Sequence, residues 1–316
     1  MAIDVLWAGS NLGLRPPEPG SVPGTGKAPE AIREAGLLAA LGGRALDAGS
    51  VIPGRYRAAP LTGERLRNET ELVSFTDRLA DRVDESLGAG RAPLVVGGDC
   101  SLVLAPLLAL RRRGLRVGLV YLDGHGDFRH PGNSDEADTL GGEALAAAVG
   151  LHVDAVSDPG GLRPLVRPGD AVMVGCRDDE VDEPEMRAVL GDVVPARDLL
   201  AHGVRAAAER IRAVVAAAGL DGFWLHVDVD VLDPRWMPAV DSPDPVGIDP
   251  DGLIALLDAL AADAFGADLT IFDPDLDEHG VHAFTVVSVA HGGLSRLGER
   301  ARPLPPADPV QRFGRE

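Results

Sequence analysis

Short apolar runs, rich in Val, Leu and Ile and each followed by a longer Ala/Leu/Arg stretch, narrow most sharply what this chain can fold into. The runs at 94–96, 117–123, 171–175, 223–230 and 268–272 read as short buried strands, bounded by glycine or acidic residues. Between them, 101–113, 204–218 and 249–262 have helical composition and legible ends. Ser101 and Asp249-Pro250 are start signals; Gly114 and Gly219 are stops. Strands that alternate with helices predict a parallel sheet covered on both faces. Only 4% of the residues are aromatic against 45% hydrophobic, so the core must be aliphatic. The stretch 9–29 is dense in Gly and Pro and must be a long loop, either functional or disordered. One domain over 1–300 and a polar, Pro-rich tail over 301–316 complete the expected layout.

A net charge of −19 repels a nucleic-acid backbone and disfavours an anionic membrane surface. It suits metal ions or a cationic substrate, although a solubilising surface accounts for most of it. No apolar run reaches the ~18 residues that span a bilayer. The start, Met1-Ala2-Ile3-Asp4, has no basic stretch leading an apolar one, so no signal peptide is predicted. Two cysteines, Cys100 and Cys176, make no disulfide framework, and a cytoplasmic location is expected.

Three segments carry the chemistry, each at the end of a predicted strand, where open α/β sheets bind ligands. Asp123-Gly124-His125-Gly126-Asp127 alternates so that two carboxylates and an imidazole lie on one side of an extended chain. In His226-Val227-Asp228-Val229-Asp230, Asp228 and Asp230 share a face, His226 joins them, and valines fill the other side. Acidic side chains on a buried strand are costly unless paired or bound to a cation. Gly97-Gly98-Asp99-Cys100-Ser101 is a glycine turn that feeds a helix. Each segment alone could be a surface loop, a solvated edge or a simple turn; their coincidence points to divalent metals.

These motifs resemble those of the arginase, agmatinase and formiminoglutamase superfamily: Gly-Gly-Asp-His-Ser, Asp-Ala-His-x-Asp and Ser-x-Asp-x-Asp-x-x-Asp-Pro. The resemblance extends over residues 3–289 and includes Gly24–Arg33, Gly175-Cys176-Arg177-Asp178, Pro238, Pro243 and Gly247. It implies a three-layer α/β/α fold with a mostly parallel sheet and a small-molecule substrate. It also implies a homo-oligomer, trimer or hexamer. A pair of Mn2+ ions is implied, one held by Cys100, Asp123, Asp127 and Asp228, the other by Asp123, His125, Asp228 and Asp230. Asp127 would further orient the attacking water. Asp178, Glu180 and Ser242 would meet the substrate, although the acidic run at 178–185 also fits a solvated surface.

Three positions depart from the pattern. Cys100 stands where the family has a metal-binding histidine, and a thiolate suits Zn2+ or Fe2+ better than Mn2+. Gly141-Gly142 falls where arginases carry a histidine, with His130 and Glu143 as nearby substitutes in the sequence. Ile271 replaces a glutamate that grips a guanidinium; a shifted alignment would offer Asp268, Asp273 or Asp275 instead. The predicted function is metal-dependent cleavage of a C–N bond in a linear amidine or guanidino-type compound other than plain L-arginine. The competing expectation is a non-catalytic relative that keeps one metal for a binding or regulatory role. A single-zinc, deacetylase-like site ranks last, because the doubled aspartates fit two metals.

Overall fold

The computed structural model describes residues 1–177, 182–217, 219–302 and 304. Among the described residues eight strands form one sheet: β1 (Ile3–Trp7), β2 (Ala45–Ser50), β3 (Ala92–Val96), β4 (Val117–Leu122), β5 (Ala171–Val174), β6 (Asp192–Val194), β7 (Gly222–Asp228) and β8 (Gly266–Thr270). Their order is β2-β1-β3-β8-β7-β4-β5-β6, and every pairing is parallel. β1, β3, β4 and β5 are buried along their whole length, as strands covered on both faces must be.

The helices are α1 (Ala28–Glu34), α2 (Leu37–Leu41), α3 (Glu69–Gly88), α4 (Leu104–Arg112), α5 (Ala144–Ala148), α6 (Asp154–Ser157), α7 (Glu183–Val189), α8 (Ala196–Val215), α9 (Pro250–Ala261) and α10 (Val281–Leu294). α3 to α6 form one packed group and α2, α8, α9 and α10 another, with the sheet between them as the middle of three layers. Among the described residues no helix is long and apolar enough to cross a membrane.

After β3 the chain crosses to β4, leaving a gap that β8 and β7 later fill. Such a switch in strand order opens a crevice beyond the carboxyl ends of the central strands. All three motifs leave those strands: residues 97–101 follow β3, 123–127 follow β4, and 228–230 close β7.

Several sequence expectations need correction. Asp99, not Ser101, caps the helix after β3: its carboxylate accepts from Ser101 N at 3.1 Å, and a 3-10 turn (Cys100–Val103) precedes α4. β7 ends at Asp228, and Asp230 sits on a 3-10 turn, Val229–Val231, so the two aspartates do not share a strand face. β8 ends at Thr270 because Ile271 takes a left-handed φ of 69°. α8 starts eight residues before its predicted start at 204, but Gly203 breaks it at φ 77°, next to that position. The helices α3 and α10 and the strands β1, β2 and β6 were not anticipated. The loop over 9–29 is ordered: Leu12 and Leu14 are buried, and Ser10 Oγ and Gly13 N donate to Asp99 Oδ2 at 3.0 and 3.2 Å. Most of the tail expected over 301–316 lies outside the described residues.

Candidate metal centre

Strand register builds the site in two tiers. Tyr121, His226 and Asp268 are direct neighbours across β4, β7 and β8. Alternation then stacks Asp228 and Thr270 above His226 and Asp268, and Asp123 above Tyr121. Cys100 reaches the same spot from the turn after β3: its thiol donates to Asp228 Oδ2 at 2.8 Å and lies 3.6 Å from Thr270 Oγ1.

The remaining motif residues close around this tier. His125 Nδ1 lies 2.8 Å from Asp230 Oδ2 and 3.7 Å from Asp123 Oδ1. The backbone N–H of His125 donates to Asp123 Oδ1 at 2.6 Å, and that of Gly124 to Asp230 Oδ1 at 2.9 Å. Arg177 Nη2 donates to the Asp230 carbonyl at 2.9 Å. The Tyr121 hydroxyl donates to Asp127 Oδ2, and Asp127 holds a left-handed φ of 45°. The six residues expected to hold metal, Cys100, Asp123, His125, Asp127, Asp228 and Asp230, all line one cavity of about 460 Å3.

Charge in this pocket is unbalanced. Burial, reinforced by Asp230, pushes the Asp123 carboxyl up to about 7. Burial pushes Asp228 well above the carboxylate range, with Asp230 and Asp123 adding to it, and does the same to Asp127 with help from Asp123. Burial also raises the Cys100 thiol, beside Asp228, Asp127 and Asp123, and the Tyr121 phenol, beside Asp127. For Asp230 burial is overcome by His125, Arg177 and the Gly124 amide, which hold it down at about 2. For His125 burial opposes the charge, but Asp230 and Asp123 outweigh it and raise the imidazole. Without cations, then, Asp123, Asp127 and Asp228 hold their protons to higher pH than free carboxylates do.

Among the described residues two sets of donor atoms occur, the atoms of each within 4.8 Å of one another: Cys100, Asp123 and His226, and Asp123, His125 and Asp230. Asp123 belongs to both. Its Oδ2 and the Nε2 of His226 are buried and have no hydrogen-bond partner among the described residues. An unanswered buried polar atom costs about 1–3 kcal/mol, which a cation between the donors would remove. The residues present therefore fit a pair of divalent metal ions. Alternation in the sequence puts His226 on the face of Asp228, although the ligand sets implied by the resemblance leave it out.

Other expectations resolve less evenly. Ser242 lines the cavity, 3.5 Å from Asp241. Asp178 and Glu180 lie outside the described residues. Gly141 and Gly142 line the cavity; a side chain at Gly141 would press on backbone, and one at Gly142 would require Arg129 to move. A Cβ on Gly141 would meet Gly13 O at 2.9 Å, and one on Gly142 would collide with the Arg129 guanidinium. Glu143 is fully buried, bonded to His152 Nε2 at 3.0 Å, and His130 faces Glu185 at 3.1 Å, so both are structural pairs. Ile271 does line the cavity. None of its proposed substitutes does: Asp268 is bonded beneath the site, Asp273 accepts from the Gly24 and Asp275 amides, and Asp275 pairs with Lys27.

Comparison with known proteins agrees with this geometry. The arginase of Brevibacillus brevis is 29% identical over 275 residues, covering 84% of this chain and 90% of that protein. The crystal structure of the Bacillus caldovelox arginase superposes with a TM-score of 0.83 at 26% identity, covering 93% of this chain and 98% of the other. A proclavaminate amidino hydrolase from Streptomyces clavuligerus shares the fold, with a TM-score of 0.70 at 23% identity over 95% of this chain and 92% of its own. The model of the Arginase family matches residues 20–293, which include every motif that lines the cavity, and the chain belongs to that family.

Proposed function

We propose that this protein is a two-metal hydrolase that cleaves a C–N bond in a linear amidine or guanidino-type compound other than plain L-arginine. One observation carries the reading: Asp123, buried and with an oxygen unpartnered among the described residues, is common to two sets of metal-ligand atoms there. Cys100, Asp123, Asp127 and Asp228 would hold one cation, and Asp123, His125, Asp228 and Asp230 the other, Mn2+ being the ion the family resemblance implies. A pair of divalent cations lowers the pKa of a shared water and polarises the substrate.

The chain's own groups then do the rest. Asp127, fixed by the Tyr121 hydroxyl, accepts a proton from the attacking water and can return it to the departing nitrogen. Ile271 offers no acceptor where a guanidinium would need one, which argues against free arginine. Arg129 lines the same cavity, half-buried, with no hydrogen bond or ion pair among the described residues, and suits an anionic group on the substrate. We also infer that residues 1–300 act as one domain, in the cytoplasm, as a homo-oligomer.

The test is to strip the protein of metal, reload it with Mn2+, Zn2+, Fe2+ or Co2+, and screen guanidino, formimino and amide compounds for release of urea, ammonia or formamide. Turnover of a guanidino or formimino compound with little on L-arginine supports the proposal. No turnover with any metal would favour the non-catalytic reading; efficient arginine hydrolysis would overturn the substrate assignment.

A further inference from the structure

His226 has no task in the function proposed above, yet its surroundings are those of a ligand. It is fully buried on β7 and stacks on Tyr121 with ring centroids 4.1 Å apart. Its Nδ1 bonds Asp268 Oδ2, and the other oxygen of that carboxylate accepts from Trp224 Nε1 at 2.5 Å. Asp268 is itself fully buried on β8. A carboxylate at Nδ1 keeps the ring proton there and leaves a lone pair on Nε2, the arrangement by which proteins orient a metal-binding imidazole. That Nε2 has no hydrogen-bond partner among the described residues, and a ring nitrogen of His226 lies within 4.8 Å of Cys100 Sγ and an Asp123 oxygen.

We propose that His226 Nε2 is a first-contact metal ligand, and that with Cys100 and Asp123 it forms a thiolate–imidazole–carboxylate site for a borderline cation of the Zn2+ class. The inference rests on the two-metal reading and revises one half of it. The two sites become chemically unlike. The site of Asp123, His125 and Asp230 offers oxygen and one nitrogen and accepts Mn2+, whereas the Cys100 site offers sulfur, nitrogen and oxygen. Thiolate and imidazole donors favour Zn2+, Co2+ or Fe2+ over Mn2+. Trp224 and Asp268 hold the ring in its ligating orientation, which explains a buried carboxylate spent on a histidine two residues below the cavity floor. A purely structural histidine would leave Nε2 stripped of water with nothing in exchange.

The probe is Co2+ added to the metal-free, full-length protein, with absorption as the readout. Coordination by Cys100 gives a thiolate-to-cobalt band in the near ultraviolet. We expect that band in the wild type, its displacement by Zn2+ but not by equimolar Mn2+, and its loss in Cys100→Ser. His226→Gln should weaken the band-forming site by on the order of 100-fold, and Asp268→Asn by roughly 10- to 100-fold. The circular dichroism of the metal-free variants should stay as in the wild type. Should His226→Gln not fold, Asp268→Asn and Cys100→Ser carry the test. A wild-type protein that binds Co2+ without a thiolate band, or a folded His226→Gln or Asp268→Asn variant that forms the band at wild-type Co2+ concentrations, overturns the proposal. These readouts need no substrate, so failure of the hydrolase reading leaves them unaffected, and their failure leaves catalysis through other ligands open.

Discussion

Asp127 and Ile271 stand on opposite sides of the chemistry and share one property: each holds a left-handed backbone, at φ 45° and 69°. That conformation is uncommon for an aspartate and a genuine outlier for a β-branched residue. Such strain is tolerated where the surroundings fix it, and it clusters at working sites. For Asp127 the fixing contact is the Tyr121 hydroxyl, and for Ile271 it is the backbone bond to Gly98 O at 2.8 Å. Replacing Asp127 by Asn removes the proton acceptor. On the proposed substrate class, kcat should fall by about 100- to 10,000-fold, read by steady-state kinetics at equal metal loading. Ile271→Glu puts a carboxylate into the cavity. It should raise kcat/KM for L-arginine relative to the wild type by on the order of 10-fold or more, the scale of a charge-assisted hydrogen bond. An unchanged preference would mean that position 271 does not read the substrate.

At the scale of elements, the glycine turn after β3 sets how closely the ordered Gly/Pro loop can approach. Gly98 sits at φ 93°, and a Cβ there would lie 2.8 Å from Ala8 O and from Ser10 N. Gly98→Ala should therefore cost about 1–3 kcal/mol in denaturant unfolding and weaken metal binding through displaced Cys100. A variant as stable as the wild type would contradict the packing described. The strand ends and their acidic motifs were legible from sequence because alternation and glycine placement are local signals. The stripe of Leu72, Phe75, Leu79, Val83 and Leu87 on α3 was equally local, and the expected layout simply lacked it. That His226 joins the aspartates was legible from alternation, but its fixing by Asp268 was not, because Asp268 lies 42 residues away and arrives on the adjacent strand. The end of β8 at Thr270 was hidden for a similar reason: the turn at Ile271 is held by a bond to Gly98, in the turn after β3. The substrate contacts expected at Asp178 and Glu180 fall outside the described residues.

For the whole molecule, the site costs the fold stability until cations arrive. Asp123, raised to about 7, and Asp127 and Asp228, raised well above their usual range, bind more protons folded than unfolded. The stability of the metal-free chain should thus fall as pH climbs from about 4, the unfolded carboxylate value, toward 7. Asp230, held at about 2, loses its contribution only in stronger acid, and that of the raised His125 is complete below its unfolded value of about 6.5, so neither reverses the trend. Metal-loaded protein should escape the decline, because a cation that binds only the folded chain stabilises it by mass action. Melting curves from pH 4 to 7, with and without metal, read this directly; a metal-free Tm that rises across that window would contradict it. The central claim, two cations meeting at one carboxylate, is tested most directly by metal stoichiometry in the wild type and in Asp123→Ala. The account predicts two tightly bound divalent ions per wild-type chain and fewer than one in the variant. A wild type that binds no metal, or a variant that still binds two ions, would contradict it.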